Sequence, residues 1–342
     1  MLLTYSIEGK IMKRLFTAIG AAALLTSSVF AAANCDPGEI VIKFSHVTAA
    51  KGHPKGEAAG AIAARINEEM NGKACMLVFP RSQLFNDNKV MEALLLGDVQ
   101  VAAPSLSKFE SYTKKYRLFD LPFLFSDMDA VEKFTNGPTG QGLLTAIDDK
   151  GYVGLSYIFN GLKHFSANKP LLVPNDAEGL KFRTQTSDVA VAMIEAMGAN
   201  AQKLAFKEVY GALQTGVVDG QENTWSNIYK QKFFEVQDGV TETNHQLLTY
   251  LAVTSKDWLE SLPADVRTQF LAIFKEETNN ANSKATAINA KSREEIIKSG
   301  GVVRALTPEQ RKIWVDTMKP VWSKFADDIG QDVIDAAVAA GQ

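Results

Sequence analysis

Several polar side chains in this 342-residue sequence fall where strands are expected to end. They are Lys55 in GHPKG, Ser105 and Lys108 after VQVAAP, Lys163 in NGLKHFSANKP, Arg183 in GLKFRTQTSD and Asn223 in DGQENTW. Asp87 closes FPRSQLFND, and aromatic Phe206 and Trp225 lie near Arg183 and Asn223. Basic and amide groups of this kind suit a small organic anion. A guanidinium grips one carboxylate with two parallel hydrogen bonds, lysines and amides complete its shell, and aromatic walls exclude water. Arg183 also has a plain alternative. Strand alternation puts Leu180, Phe182 and Thr184 on one side and Lys181, Arg183 and Gln185 on the other, so Arg183 could equally be a solvated strand residue.

Other chemistries lack residues to support them. The sequence contains no G-x-x-x-x-G-K-[ST], no G-x-G-x-x-G and no G-x-S-x-G, and GPTGQG (137–142) reads as a turn. His46, His53, His164 and His245 are scattered, and His46 and His53 lack nearby cysteine or carboxylate ligands, so no metal site is expected. No nucleophile has an evident base beside it, so the reading is a binding protein without a cofactor, not an enzyme. With 36 basic against 39 acidic residues there is no basic surface for nucleic acid.

The positioning elements follow from periodicity. EIVIKFSHV and ACMLVFP read as strands and HPKGEAAGAIAARINEEMNG between them as a helix, which implies a parallel α/β sheet. NDNKVMEALLLGD, SDVAVAMIEAMG and FKEVYGALQTG read as helices; VQVAAPS, GYVGLSYIFNG, GLKFRT and VVDGQEN as strands, and KPLLV as a short extended piece. EALLLGDVQVAAP and GALQTGVVDGQEN align without gaps, sharing Ala93/Ala212, Leu94/Leu213, Gly97/Gly216 and Val99/Val218. The echo suggests two comparable α/β halves with strand ends that face a ligand. From Pro263 to Gly300 the chain has no internal proline or glycine and is read as one long helix spanning both halves. TPEQ (307–310) is a capping box that starts a helix towards Trp314 and Trp322.

The N-terminal region carries an address. Met12-Lys13-Arg14, the apolar run Leu15 to Leu25 and then SSVFAAAN follow the order of a secretory signal, with cleavage expected after Ala31 or Ala33. Residues 1–33 are therefore taken as a signal peptide and the mature protein as exported and soluble. Cys35 and Cys75 fit an oxidising compartment, either bridged or as two thiols. Asn34 before Cys35 argues against a lipid anchor.

The stretch from Lys181 through KLAFKEVYGALQTGVVDGQENTWSNIY to Phe234 resembles the extracytoplasmic receptors of tripartite ATP-independent periplasmic (TRAP) transporters, of the DctP type. The likeness runs over nearly all of the mature chain. It implies an α/β, two-lobed periplasmic binding protein fold (type II-like) with a long helix spanning both lobes. Lobe I would comprise 36–160 and 248–288, and lobe II 161–247 and 289–342. The lobes would close on a small organic acid and hand it to integral-membrane TRAP permease subunits. The arginine of LKFR, Arg183, would then hold a ligand carboxylate, with Asn223 from the QEN motif, Phe206 before its helix, and Lys163 twenty positions before the arginine. Lysine at that position argues against sialic acid. HPKG resembles dicarboxylate receptors and makes Lys55 the candidate for a second carboxylate; Asp87, Ser105 and Lys108 match lining positions. Arg81 in FPRS departs from the small polar residue commoner there. The implied role is a periplasmic C4-dicarboxylate receptor for succinate, malate or fumarate. Its rivals are a receptor for a 2-oxo acid or sugar acid, a secreted enzyme on small carboxylic acids, and a receptor that signals instead of transporting.

Overall fold

The computed structural model describes residues 35–342; the expected signal segment, 1–33, lies outside the described residues. In chain order the strands are β1 (Ile40–Ser45), β2 (Ala74–Phe79), β3 (Val101–Ala102), β4 (Tyr152–Leu162), β5 (His164–Ala167), β6 (Lys181–Thr184), β7 (Asn200–Lys203), β8 (Gly220–Asn223), β9 (Gly239–Glu242), β10 (Leu247–Ser255) and β11 (Val303–Ala305). They form two sheets, β2-β1-β3-β10-β4 and β11-β9-β5-β8-β6-β7, each the centre of one α/β lobe. β1 pairs in parallel with β2, and the helix Pro54–Glu69 makes the crossover, as strand-helix-strand order demands. That helix starts cleanly: Pro54 sits in its first turn, and the His53 ring caps it by accepting the Lys55 N–H. Cys35 and Cys75 form a disulfide with Cα atoms 5.5 Å apart, tying the segment before β1 to β2.

The internal echo corresponds to real architecture. The helices Val90–Leu95 and Val209–Gln214 end at Gly97 and Gly216, both left-handed at φ +77° and +70°. Such a backbone lets the glycine N–H turn back to Leu94 O (3.2 Å) and to Leu213 O (3.3 Å). Each chain then enters the middle of its sheet. β3 has parallel β1 on one side and antiparallel β10 on the other; β8 has parallel β6 and antiparallel β5. The two lobes therefore repeat one strand order, β2-β1-β3-β10 against β7-β6-β8-β5.

Two crossings between the lobes run through strands. β4 leaves the first sheet at Leu162 and β5 opens the second at His164, with only Lys163 between them. The return runs from β9 to β10 through residues 243–246, and the crossings are stitched by Lys163 N to Gln246 O (2.7 Å) and His245 N to Lys163 O (3.2 Å). The expected single helix from Pro263 to Gly300 is instead two, Ala264–Asn282 and Ala285–Lys298. Composition gave no break because the cause is tertiary. The Asn282 side chain turns to the β4 backbone, accepting from Phe159 N and donating to Tyr157 O, both at 2.8 Å, next to an irregularity in the β4–β10 register. GPTGQG is not a turn; Pro138–Leu143 is a short helix. Gly140 permits its packing, since a Cβ there would come within 2.3 Å of Phe134 O. KPLLV forms no strand, and β5, β7, β9, β10 and β11 went unread in the sequence.

The first sheet is covered by Ala58, Ile62 and Ile66 of the crossover helix and by Phe270, Ile273 and Phe274 of the helix Ala264–Asn282. The chain's last segment touches both cores. Trp314 and Met318 pack with Phe165 and Phe182 of the second sheet, whereas Val321, Phe325, Ile329 and Ile334 pack with Val90, Phe119 and Phe134.

Candidate functional site

The C-terminal ends of parallel strands from both lobes converge on one cavity, where ligands sit in open α/β sheets. Val47 and Thr48 follow β1, Ser105 and Lys108 follow β3, and Asp87 and Asn88 follow β2; facing them are Arg183 in β6, Gln185 just after it, Phe206, and Asn223 at the end of β8. Leu248 and Tyr250 of β10 close the wall. The cavity measures about 20 Å³, so the lobes lie closed on one another. Side chains or lobes must shift to admit anything larger than water.

Arg183 is 2% exposed, which rules out the solvated strand residue. Phe182 faces the core, and Gly220 of β8 makes room for it: a Cβ on Gly220 would lie 2.4 Å from the Phe182 ring. Arg183 thus points to the other side of the sheet. Its Nε and Nη2 both donate to Leu204 O, at 3.2 and 2.9 Å, and the guanidinium lies 6.0 Å from the Phe206 ring centre. Leu204 occupies the side edge of the fork. The end edge, one N–H on each Nη, remains for a carboxylate. Burial pushes the Arg183 pKa down to about 10, partly offset by Glu222, Asp87 and Glu208.

Two lysines share that stress. Lys108 donates to Asn88 Oδ1 (2.9 Å) and across the cleft to Thr186 Oγ1 (3.0 Å), and burial, then repulsion from Arg183, lowers its pKa to about 8. Lys55 is fully buried just behind the cavity wall. It donates to Ala103 O (2.8 Å), sits 3.8 Å over the Tyr250 ring, and falls to about 8 through burial, with Asp87 opposing. Two buried cations and a half-buried one, Lys108, drawn from two lobes, are an arrangement that a multiply charged anion stabilises.

Over residues 44–328 the chain matches the family described as bacterial extracellular solute-binding protein, family 7 (DctP). It belongs to that family. A C4-dicarboxylate-binding periplasmic protein DctP of Vibrio cholerae serotype O1 is 62% identical over 326 residues, 95% of this chain and 98% of that protein. Among solved structures, a TRAP periplasmic solute-binding protein of Shewanella oneidensis with bound succinate is 50% identical, with TM-score 0.87 over 89% of this chain and 100% of that one. Another from Pseudomonas aeruginosa PAO1, with bound L-malate, is 41% identical, with TM-score 0.82 over 83% of this chain and 99% of that one. The resemblance read from ALQTGVVDGQEN is thereby established, and with it the two-lobed receptor fold.

Within this family 7 frame, Asp87, Ser105, Lys108, Arg183, Phe206 and Asn223 line the cavity together. Lys55, Lys163 and Trp225 do not. The Lys163 ammonium is buried behind it, 2.9 Å from Glu222 Oε2 and donating to Gln185 Oε1 (3.0 Å) and Gln246 Oε1 (2.7 Å). Trp225 lies on the His164 ring at 4.4 Å and lines a separate groove with Asn289 and Arg293. His46 and His53 are buried, and neither is in a metal-ligand cluster. Among the described residues the one group of three metal-ligating side chains in reach of one another is Cys35, Glu39 and Cys75, and the two cysteine sulfurs are bonded to each other.

Sequence reasoning missed Gln185, Asn227 and Tyr250 of the lining. Gln185 donates across the cleft to Ser105 Oγ at 2.5 Å, and its position two after Arg183 was a usable signal. Asn227 lies one helical turn after Asn223 and donates to its Oδ1 at 2.6 Å, again a legible spacing. Tyr250 had none, because it reaches the site on a strand that follows both strand crossings between the lobes.

Proposed function

We propose that this protein captures a C4-dicarboxylate (succinate, malate or fumarate) in the periplasm and delivers it to the membrane subunits of a TRAP permease. The observation that carries the reading is the trio of the buried Arg183 and Lys55 and the half-buried Lys108 around a closed cavity. Each cation is disfavoured by burial, and a dianion offsets more of that cost than a monoanion. The names and bound ligands of the 62%, 50% and 41% identical relatives point the same way. More distant matches bind other acids; one, with bound β-D-galacturonate, from Xanthobacter autotrophicus Py2, is 26% identical.

In this reading Arg183 holds one carboxylate end-on, Ser105, Lys108 and Asn223 complete its shell, Phe206 walls it, and Lys55 with Asp87 governs the distal end. Lys163 acts through Gln185 and Trp225 through its groove, instead of touching ligand. The protein binds and releases its acid unchanged. The lobes comprise 36–160 with 248–288 and 161–247 with 289–318. The packing of Val321, Phe325, Ile329 and Ile334 on the first lobe's core supports assigning 319–342 there. Calorimetric titration with succinate, malate, fumarate, pyruvate and galacturonate tests the proposal, with NMR of the mixtures for turnover. The three dicarboxylates are expected to bind at least about a hundredfold more tightly than the others, close to 3 kcal/mol. Tighter binding of galacturonate or pyruvate, or the appearance of product, refutes it.

A further inference from the structure

Asn223 has an amide that could present either its oxygen or its nitrogen to an anion, and only the N–H side attracts one. A chain of hydrogen bonds decides which. It begins on the first lobe, where the Lys55 backbone N–H donates to His53 Nδ1 at 3.2 Å. A backbone N–H can only donate, so Nδ1 accepts, and in the neutral ring Nε2 carries the proton. Burial favours that neutral form, with Lys55, His46 and Lys230 adding to the effect. Nε2 lies 3.0 Å from Asn227 Oδ1 on the second lobe. Asn160 Nδ2, 3.2 Å from the same nitrogen, donates instead to Tyr250 Oη at 2.8 Å.

From there the direction never reverses. Asn227 Nδ2 donates to Asn223 Oδ1 (2.6 Å), Asn223 Nδ2 to Gln221 Oε1 (3.1 Å), and Gln221 Nε2 to Ser166 Oγ (2.8 Å). Ser166 Oγ donates to Gln237 Oε1 (2.9 Å), and Gln237 Nε2 ends the chain on Asp219 O (3.3 Å), which can only accept. Donor-only and acceptor-only backbone groups anchor the two ends, so every amide between them has one allowed orientation. Asn223 Oδ1 is committed to Asn227, and one N–H of Nδ2 remains for the cavity that Asn223 lines.

We propose that His53 and Asn227 are positioning residues: their contact across the cleft forms on lobe closure and locks Asn223 with an N–H towards the ligand carboxylate. The proposal rests on the reading above in giving Asn223 a carboxylate to meet. It would make anion recognition conditional on closure, since in an open protein the relay loses its first-lobe anchor.

The test combines calorimetry and NMR on the full mature protein, with succinate as probe. Asn227→Leu and His53→Ala should each weaken succinate binding about ten- to hundredfold, the effect of stranding buried polar partners. His53→Gln, which carries an N–H donor at similar reach, should recover most of the loss. In an Asn223→Ala background, Asn227→Leu should add less than about threefold, because the two act through one amide. Isotope-edited NMR of the histidine rings should show the Nε2–H tautomer at His53 whatever acid the protein prefers. An Nδ1–H tautomer, wild-type affinity in both first variants, or full additivity with Asn223→Ala overturns the relay. Wild-type protein that ignores every dicarboxylate while keeping the Nε2–H tautomer refutes the ligand assignment instead.

Discussion

Arg183 offers the sharpest separation of a ligand-holding group from a structural one. Its guanidinium is buried, Leu204 O takes its side edge, and its pKa is pushed down to about 10. A depression of that size corresponds to roughly 3 kcal/mol of desolvation that Glu222, Asp87 and Glu208 do not offset. Arg183→Met therefore removes a disfavoured charge and two hydrogen bonds to Leu204 together. Stability of the unliganded protein should fall by no more than about 1 kcal/mol. Affinity should behave differently, because a dicarboxylate in the closed cleft would be left with an unpaired charge: a loss of about 2–5 kcal/mol, or 30- to 5,000-fold, is expected. Arg183→Lys should be nearly as poor, since one ammonium cannot hold Leu204 O and a carboxylate bidentately. Succinate titration of both variants, paired with urea denaturation without ligand, reads the two effects separately. Unchanged succinate affinity, or a stability loss that tracks the affinity loss, would make Arg183 a clamp for Leu204 and nothing more.

The lysines set an alkaline limit. Lys55 and Lys108 lie near pH 8 because of burial, and a bound carboxylate raises them. Affinity is therefore complete below about pH 8, and each lysine that meets the ligand weakens it about tenfold by pH 9, with proton uptake detectable from buffer-dependent binding heats; heats independent of buffer at pH 8 would exclude both. At the acid side, His46 and His164 are held near 3 by burial, and His53 and His245 well below their ordinary value. These rings stay neutral when folded and charge when unfolded, so stability is complete above about pH 6.5 and His46 and His164 each remove about 2 kcal/mol by pH 5. A flat denaturation profile between pH 7.5 and 5 would contradict their burial. Joining Cys35 to Cys75 closes a loop with a separation of 40 residues, which the chain-entropy relation equates with about 4 kcal/mol. The double serine variant should lose up to that amount, and two reactive thiols in denatured, unreduced protein would remove the bridge.

How far the site was legible depended on whether local rules sufficed. Strand alternation and helix-ending glycines are set by sterics within a few residues. The EALLLGD and GALQTGV echo therefore revealed two matching lobes, and Ser105, Arg183 and Asn223 were assigned to strand ends that converge. Depth was not readable. Lys55, Lys108 and Lys163 are the same residue type, yet Lys108 lines the cavity, Lys55 lies behind Tyr250, and Lys163 is consumed by Glu222, Gln185 and Gln246. Each partner comes from a different part of the chain.

The division between sequence and fold follows from range. Residue order alone determined the α/β class, the family and the placing of an arginine, Arg183, on a strand, because these depend on neighbours a few positions apart or on motif likeness. Tertiary structure alone decided which ends close on one another. It broke the long helix by drawing Asn282 to the β4 backbone, brought Tyr250 to the wall through two lobe crossings, and turned the Asn223 amide through a contact between His53 and Asn227. Those outcomes depend on groups about 90 to 175 positions apart competing for the same hydrogen bonds inside a cleft, and a buried polar group takes whichever partner the packing leaves within 3 Å or so.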